Sequence, residues 1–256
     1  MHLDSTFLLR LLLLFAASLW AGAQNQLAGG GSFITLPALI LTGMDARAAN
    51  ITSTVALFPG QVTGGWIGRK LASGTERLSF RALVIISLVG GGVGAVLLLL
   101  TPSKFFAHLV PWLVLFATVA FAWGSFSRKR EAASDKAISP VLAGLIQFGI
   151  AIYGGYFGGG IGFLMLAALA LARLPVKAAG ATKNVLAGVM NFTAVLIFLF
   201  SGQVHWIACG VACVGAVLGS IVGARALRRV PDKALRVVVV VIGLALTIGL
   251  FLRGAG

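Results

Sequence analysis

The chain has 256 residues, of which 59% are hydrophobic and only 10% charged, and its mean hydropathy is +1.03. This balance excludes a soluble globular domain. The net charge of +14 sits on Lys and Arg in loops between apolar runs, where membrane orientation accounts for it, so no nucleic-acid partner is implied. Two cysteines, Cys209 and Cys213, fall four residues apart on one predicted helix and make no disulfide framework.

In chain order, the first apolar run spans residues 7–23. Arg10 before a Leu-rich core and the ending Ala21-Gly22-Ala23 also suit a cleavable signal. A counterpart at 138–153 stands in the same place in the second half, so the first run is expected to stay as a membrane helix. Further runs follow at 32–41, 51–67, 82–100 and 105–126, then a polar linker at 127–139, then runs at 141–153, 162–172, 185–200, 206–224 and 234–252. A spanning helix needs about 20 apolar residues, and continuous runs of this kind do not alternate as barrel strands do. The runs at 32–41 and 162–172 are too short to cross unaided. Each follows glycines and is expected to be a broken or re-entrant element.

The second half repeats the first. At an offset of 130 residues Gly29, Gly30, Phe33, Leu36, Leu39, Leu41, Ala48, Ala49, Thr52 and Val55 fall on identical residues, and Arg47 falls on Lys177. With the linker cytoplasmic and every run crossing, 16 of the 20 basic residues lie inside, and only Arg10, Arg47, Lys104 and Arg253 lie outside. Five runs per half is an odd number, so the halves are expected to be inverted. The expected architecture is an all-α polytopic membrane protein of two inverted repeats, about five segments each and 8–10 spans in all. The first repeat covers 1–126, the cytoplasmic linker 127–139 and the second repeat 140–256.

Candidate binding residues cluster at the breaks. Gly29, Gly30, Gly31 and Ser32, and Gly158, Gly159 and Gly160, precede short apolar helices, where free N–H groups at a positive dipole end suit an anion. Close packing of small residues is the competing reading. Asn50, Thr52, Ser53 and Thr54 are expected to open one helix, and Thr182, Lys183 and Asn184 its repeat partner. One such residue suffices as an N-cap, so the surplus can face a polar cavity. Lys183 serves either as counter-charge to an anion or as a topology-setting interfacial lysine. Gln61 and Asn191 are repeat partners within apolar runs, and an amide at that depth needs a partner. His205, Cys209 and Cys213 share a stripe but drift around the helix, and no metal site is expected there. Trp20, Trp66, Trp112, Trp123 and Trp206 suit aromatic belts.

No Asp or Glu falls within a run, so coupling through intramembrane carboxylates and cation coordination by carboxylates are not expected. No compact acid, base or nucleophile cluster argues for an enzyme, and no cofactor is implied.

These motifs resemble the sulfite exporter TauE/SafE family of membrane transporters over nearly the whole chain. The first signature is AGGGSFITLPALILTG followed by AANITSTVALFPG, ending at Gly60. The second is GGYFGGGIGFLML followed by ATKNVLAGVMN, ending at Asn191, and SGQVHW follows at 201–206. Two positions depart from the family pattern. Gly180 stands opposite Asn50 where the family often repeats an asparagine, and Ser53 stands where asparagine is frequent. The resemblance implies a multi-pass protein of the bacterial inner (plasma) membrane that exports sulfite or small organosulfonates. The expected activity is secondary transport of a small oxyanion by alternating access. The partners are then a small anionic substrate and the lipid bilayer, with a homo-oligomer left open. The alternative is a non-transporting assembly or signalling subunit.

Overall fold

A computed structural model describes residues 5–27, 29–126, 139–226 and 232–254. The linker at 127–138 and the segment at 227–231, with their basic residues, lie outside the described residues. Among the described residues every regular element is helical. The α-helices are α1 (Ser5–Leu27), α2 (Ser32–Leu41), α3 (Ala46–Gly68), α4 (Phe80–Leu100), α5 (Ser103–Phe126), α6 (Pro140–Tyr156), α7 (Ile161–Leu171), α8 (Val176–Leu199), α9 (Trp206–Ala226) and α10 (Asp232–Gly254), with a 3-10 turn at Arg69–Leu71. Five of them, α1, α4, α5, α8 and α9, are long and apolar enough to cross a bilayer by length and composition. The 23-residue α3 is long enough, but Asn50, Thr52, Ser53 and Thr54 lower its hydropathy, and all four are buried inside the bundle. Outward faces carry the apolar load instead: Trp20, Trp66, Trp112, Trp123 and Trp206 are all exposed. α1 is built into the fold, with Leu14 and Ala21 fully buried.

Two helix starts correct the sequence expectation. α3 begins at Ala46, because the Asp45 side chain accepts hydrogen bonds from the N–H groups of Arg47 and Ala48 at 3.1 and 3.2 Å. α8 begins at Val176, directly after Pro175, whose fixed φ suits a helix entry. Asn50 and Lys183 therefore lie inside established helices rather than opening them.

The strongest packing joins helices from different halves. α1 lies along α9 in parallel: a Cβ on Gly215, Gly219 or Gly223 would meet Phe15, Leu19 or Ala23 in turn. α4 lies along α6 in the same sense, with Gly90 against Phe148 and Ala151, Gly94 against Ile152 and Tyr156, and Gln147 Nε2 donating to Ser87 Oγ at 2.9 Å. Missing side chains let these backbones touch, the usual route to tight packing where lipid removes any hydrophobic drive between helices. α3 and α8 run antiparallel. Phe58 faces Phe192, Gln61 meets Asn191, Gly65 lies against Val185 and Gly68 against Ala181. Exchanging the halves carries the α1–α9 pair onto α6–α4, and carries α3–α8 and α5–α10 onto themselves.

Candidate functional site

The breaks fall where the sequence placed them, between α1 and α2 and between α6 and α7. Gly29 and Gly30 have φ of +83° and +84°, and Gly158 and Gly160 +77° and +75°, values that cost a side-chain-bearing residue but not glycine. The two breaks meet back to back: a Cβ on Gly29 would sit 3.0 Å from Gly162 Cα. Phe33 of α2, fully buried, fills the space beneath both Gly159 and Gly160.

Beside this junction lies a cavity of about 400 Å³, its open mouth included, lined by α1, α3, α8 and both breaks. Of the residues expected at a site, Gly29, Gly30, Gln61, Gly158, Lys183 and Asn184 line it. Sequence reasoning missed Asn25, Gln26, Gly64, Ile161 and Ala187. The polar triplet Gln24-Asn25-Gln26 at the end of an otherwise apolar helix was the available signal. Asn25 Oδ1 accepts from the Gly31 N–H at 2.7 Å, and Gln26 Nε2 donates to Gly60 O at 3.1 Å.

The two breaks differ in what they offer. At the start of α2, Asn25 takes the Gly31 amide and the Phe33 and Ile34 amides turn back onto Gly30 and Gly31. At the start of α7, the Gly159, Gly160, Ile161 and Gly162 amides make no close backbone hydrogen bond among the described residues. These are the orphan donors of a helix N-terminus, and Ile161 and Gly162 line the cavity. Lys183, 3% exposed, lines the same cavity, and among the described residues no carboxylate does. A buried ammonium without an anionic neighbour is costly. An anion between Lys183 and the start of α7 relieves that cost and satisfies the amides together.

The remaining candidates do other work. Thr52 and Thr182, repeat partners and both fully buried, pin loops. Thr52 Oγ1 accepts from the His205 N–H at 3.2 Å, and Thr182 Oγ1 accepts from Ser73 N at 2.9 Å and donates to Ser73 O at 3.0 Å. Asn191 Nδ2 donates to Gln61 Oε1 at 2.6 Å, which gives each mid-helix amide its partner. Asn50 Nδ2 donates to Tyr156 O at 3.0 Å. Ser32 and Thr54 sit around Gly158. Gly159 and Gly160 pack on Phe157, Phe33 and Ala117.

The profile of the sulfite exporter TauE/SafE family matches residues 14–250. The chain is 28% identical to a "Probable membrane transporter protein" of Haemophilus influenzae, covering 93% of this chain and 92% of that one. It is 29% identical to "Probable membrane transporter protein ORF9" of a Sinorhizobium species, over 93% and 90% of the two chains. It is 27% identical to "Probable membrane transporter protein YfcA" of Escherichia coli K12, over 90% and 85%. No solved structure matches. With bilayer-length helices, paired breaks and this match along most of its length, the chain belongs to the sulfite exporter TauE/SafE family of membrane transporters.

Proposed function

We propose that the protein is a secondary transporter of the inner membrane that exports a small oxyanion, sulfite or an organosulfonate, by alternating access. The observation that carries this is that the buried Lys183 shares a cavity with the start of α7, with no carboxylate among its described lining residues. Fixed N–H donors and one ammonium suit a compact anion with several acceptor oxygens. The antiparallel run of α3 against its repeat partner α8 supports an inverted repeat, and the division at the linker remains our reading of the chain.

The bodies that rock are not the two sequence halves. α1, α2 and α3 pack with α9, while α6, α7 and α8 pack with α4, and the cavity lies between these mixed groups. At the end of α3 and α8 far from the linker the groups are clasped. Arg47 Nη1 donates to Thr101 O at 2.7 Å and Asn50 to Tyr156 O. The cavity lies toward the linker end, near Gly64 and Asn184, so we read the state as facing the cytoplasm. Transport then requires the Arg47 and Asn50 clasp to part.

Purified protein in proteoliposomes is expected to carry radiolabelled sulfite in a saturable manner. A flux no greater than that of empty liposomes, in either direction and across sulfite, sulfonates and sulfate, would sink the reading. Topology is checked separately, in a background lacking Cys209 and Cys213. Arg77→Cys should react with an impermeant thiol reagent only after the membrane is opened, and Lys104→Cys in intact cells; the reverse pattern would overturn the orientation.

A further inference from the structure

A helix break has two ends, and the cavity above uses only one of them, the start of α7. The other is the end of α6. There the Phe157 and Gly158 amides both fold back onto Tyr153 O, at 2.9 and 3.3 Å, and among the described residues Gly154 O receives no backbone hydrogen bond. A Cβ on Gly158 would lie 3.4 Å from Gly154 O, 3.8 Å from Ser32 Oγ and 3.9 Å from Thr54 Oγ1. Three oxygens from three segments thus converge on the side-chain face of Gly158. Asn50, one turn before Thr54 and 1% exposed, is tied to Tyr156 O by its amide nitrogen, and its Oδ1 is buried without a hydrogen-bond partner among the described residues. The Thr54 hydroxyl donates to Asn50 O at 2.9 Å, which leaves its lone pairs free. Ser32 is 7% exposed and its hydroxyl has no hydrogen-bond partner among the described residues.

Buried acceptors without donors are expensive, and here they gather at the negative end of a helix dipole. A cation answers both costs. The oxygens are all neutral, which suits a monovalent ion; a divalent ion would call for carboxylates. We propose that Ser32, Asn50, Thr54 and the Gly154 carbonyl bind a small monovalent cation of the sodium class, and that it binds together with the transported anion. Gly158 lines the anion cavity and also stands at the cation site, so the α6–α7 break presents a cationic end to one ligand and an anionic end to the other. The second half lacks the set: Ser32, Asn50 and Thr54 correspond to Gly162, Gly180 and Asn184. One cation per chain follows. The co-binding part rests on the anion reading above; the cation site does not.

The test uses the full chain in detergent, with sulfite affinity measured by calorimetry in sodium, potassium and choline salts, and radioactive sodium binding measured directly. Sodium should bind saturably, one per chain. Replacing choline by sodium should tighten sulfite by about tenfold, and sulfite should tighten sodium by the same factor, as linkage requires. Asn50→Leu and the near-isosteric Thr54→Val should each remove sodium binding and its effect on sulfite, while sulfite still binds in choline. Absence of saturable sodium binding overturns the site, whatever sulfite does. Sodium binding that survives both substitutions overturns these ligands. Sodium binding that depends on Asn50, with no anion bound in any salt, keeps the site and discards the anion reading.

Discussion

Lys183→Gln is expected to abolish anion binding in the micromolar to millimolar range and with it transport. Lys183 is 3% exposed and shares its cavity with amides, glycines, Ile161 and Ala187, so its charge is poorly screened. Losing one partner of a desolvated charge pair costs about 2–5 kcal/mol, roughly 30-fold or more in affinity. The same substitution should raise the melting temperature of the anion-free protein, because an unpaired buried charge has been removed. The two signs together are diagnostic. A lysine that merely sets topology would leave sulfite affinity unchanged by calorimetry, and a structural lysine would lower the melting temperature.

The other large effect concerns the crossed helix pairs. Gly219→Leu and Gly94→Leu should each prevent recovery of folded protein. A Cβ at these positions would collide with backbone, Leu19 O in one case and Ile152 O in the other, and backbone cannot rotate away. Even one methyl group forced into such a contact costs about 1–3 kcal/mol, and a leucine must separate the helices outright. Gly149 and Gly210 provide controls on the same bundle, since nothing lies within 4 Å of a Cβ there. Gly149→Leu and Gly210→Leu should give monodisperse protein with near-normal melting temperatures. Size-exclusion profiles and thermal unfolding of the four variants check this. Four equal outcomes would mean that α1–α9 and α4–α6 do not pack through these glycines.

Much of the local structure was written in the residues themselves. Runs such as 82–100 and 206–224 became α4 and α9 almost residue for residue, because an apolar run in lipid can satisfy its backbone only as a helix. The breaks at Gly29-Gly30 and Gly158 to Gly160 were legible for an equally local reason: glycines beside runs too short to span leave the backbone no regular continuation. The α3 and α8 starts were misplaced, although Asp45 and Pro175 were in view. The polar cluster at Asn50 and the lysine at position 183 drew attention to surplus capping residues that the tertiary structure spends on burial.

Only the tertiary structure decided which helices touch. Nothing local in α1 says that it lies on α9, or that Thr52 and Thr182 hold loops rather than ligand, since these depend on partners over 100 residues away. The repeat in the sequence invites a picture of two compact halves. The packing crosses them instead, because the small faces of α1 and α4 find their complements in the other half. The candidate cavity is a product of that crossing. Its glycines come from both breaks, α3 and α7, its lysine from α8 and its amides from α1, α3 and α8, and they meet because α3 and α8 run antiparallel.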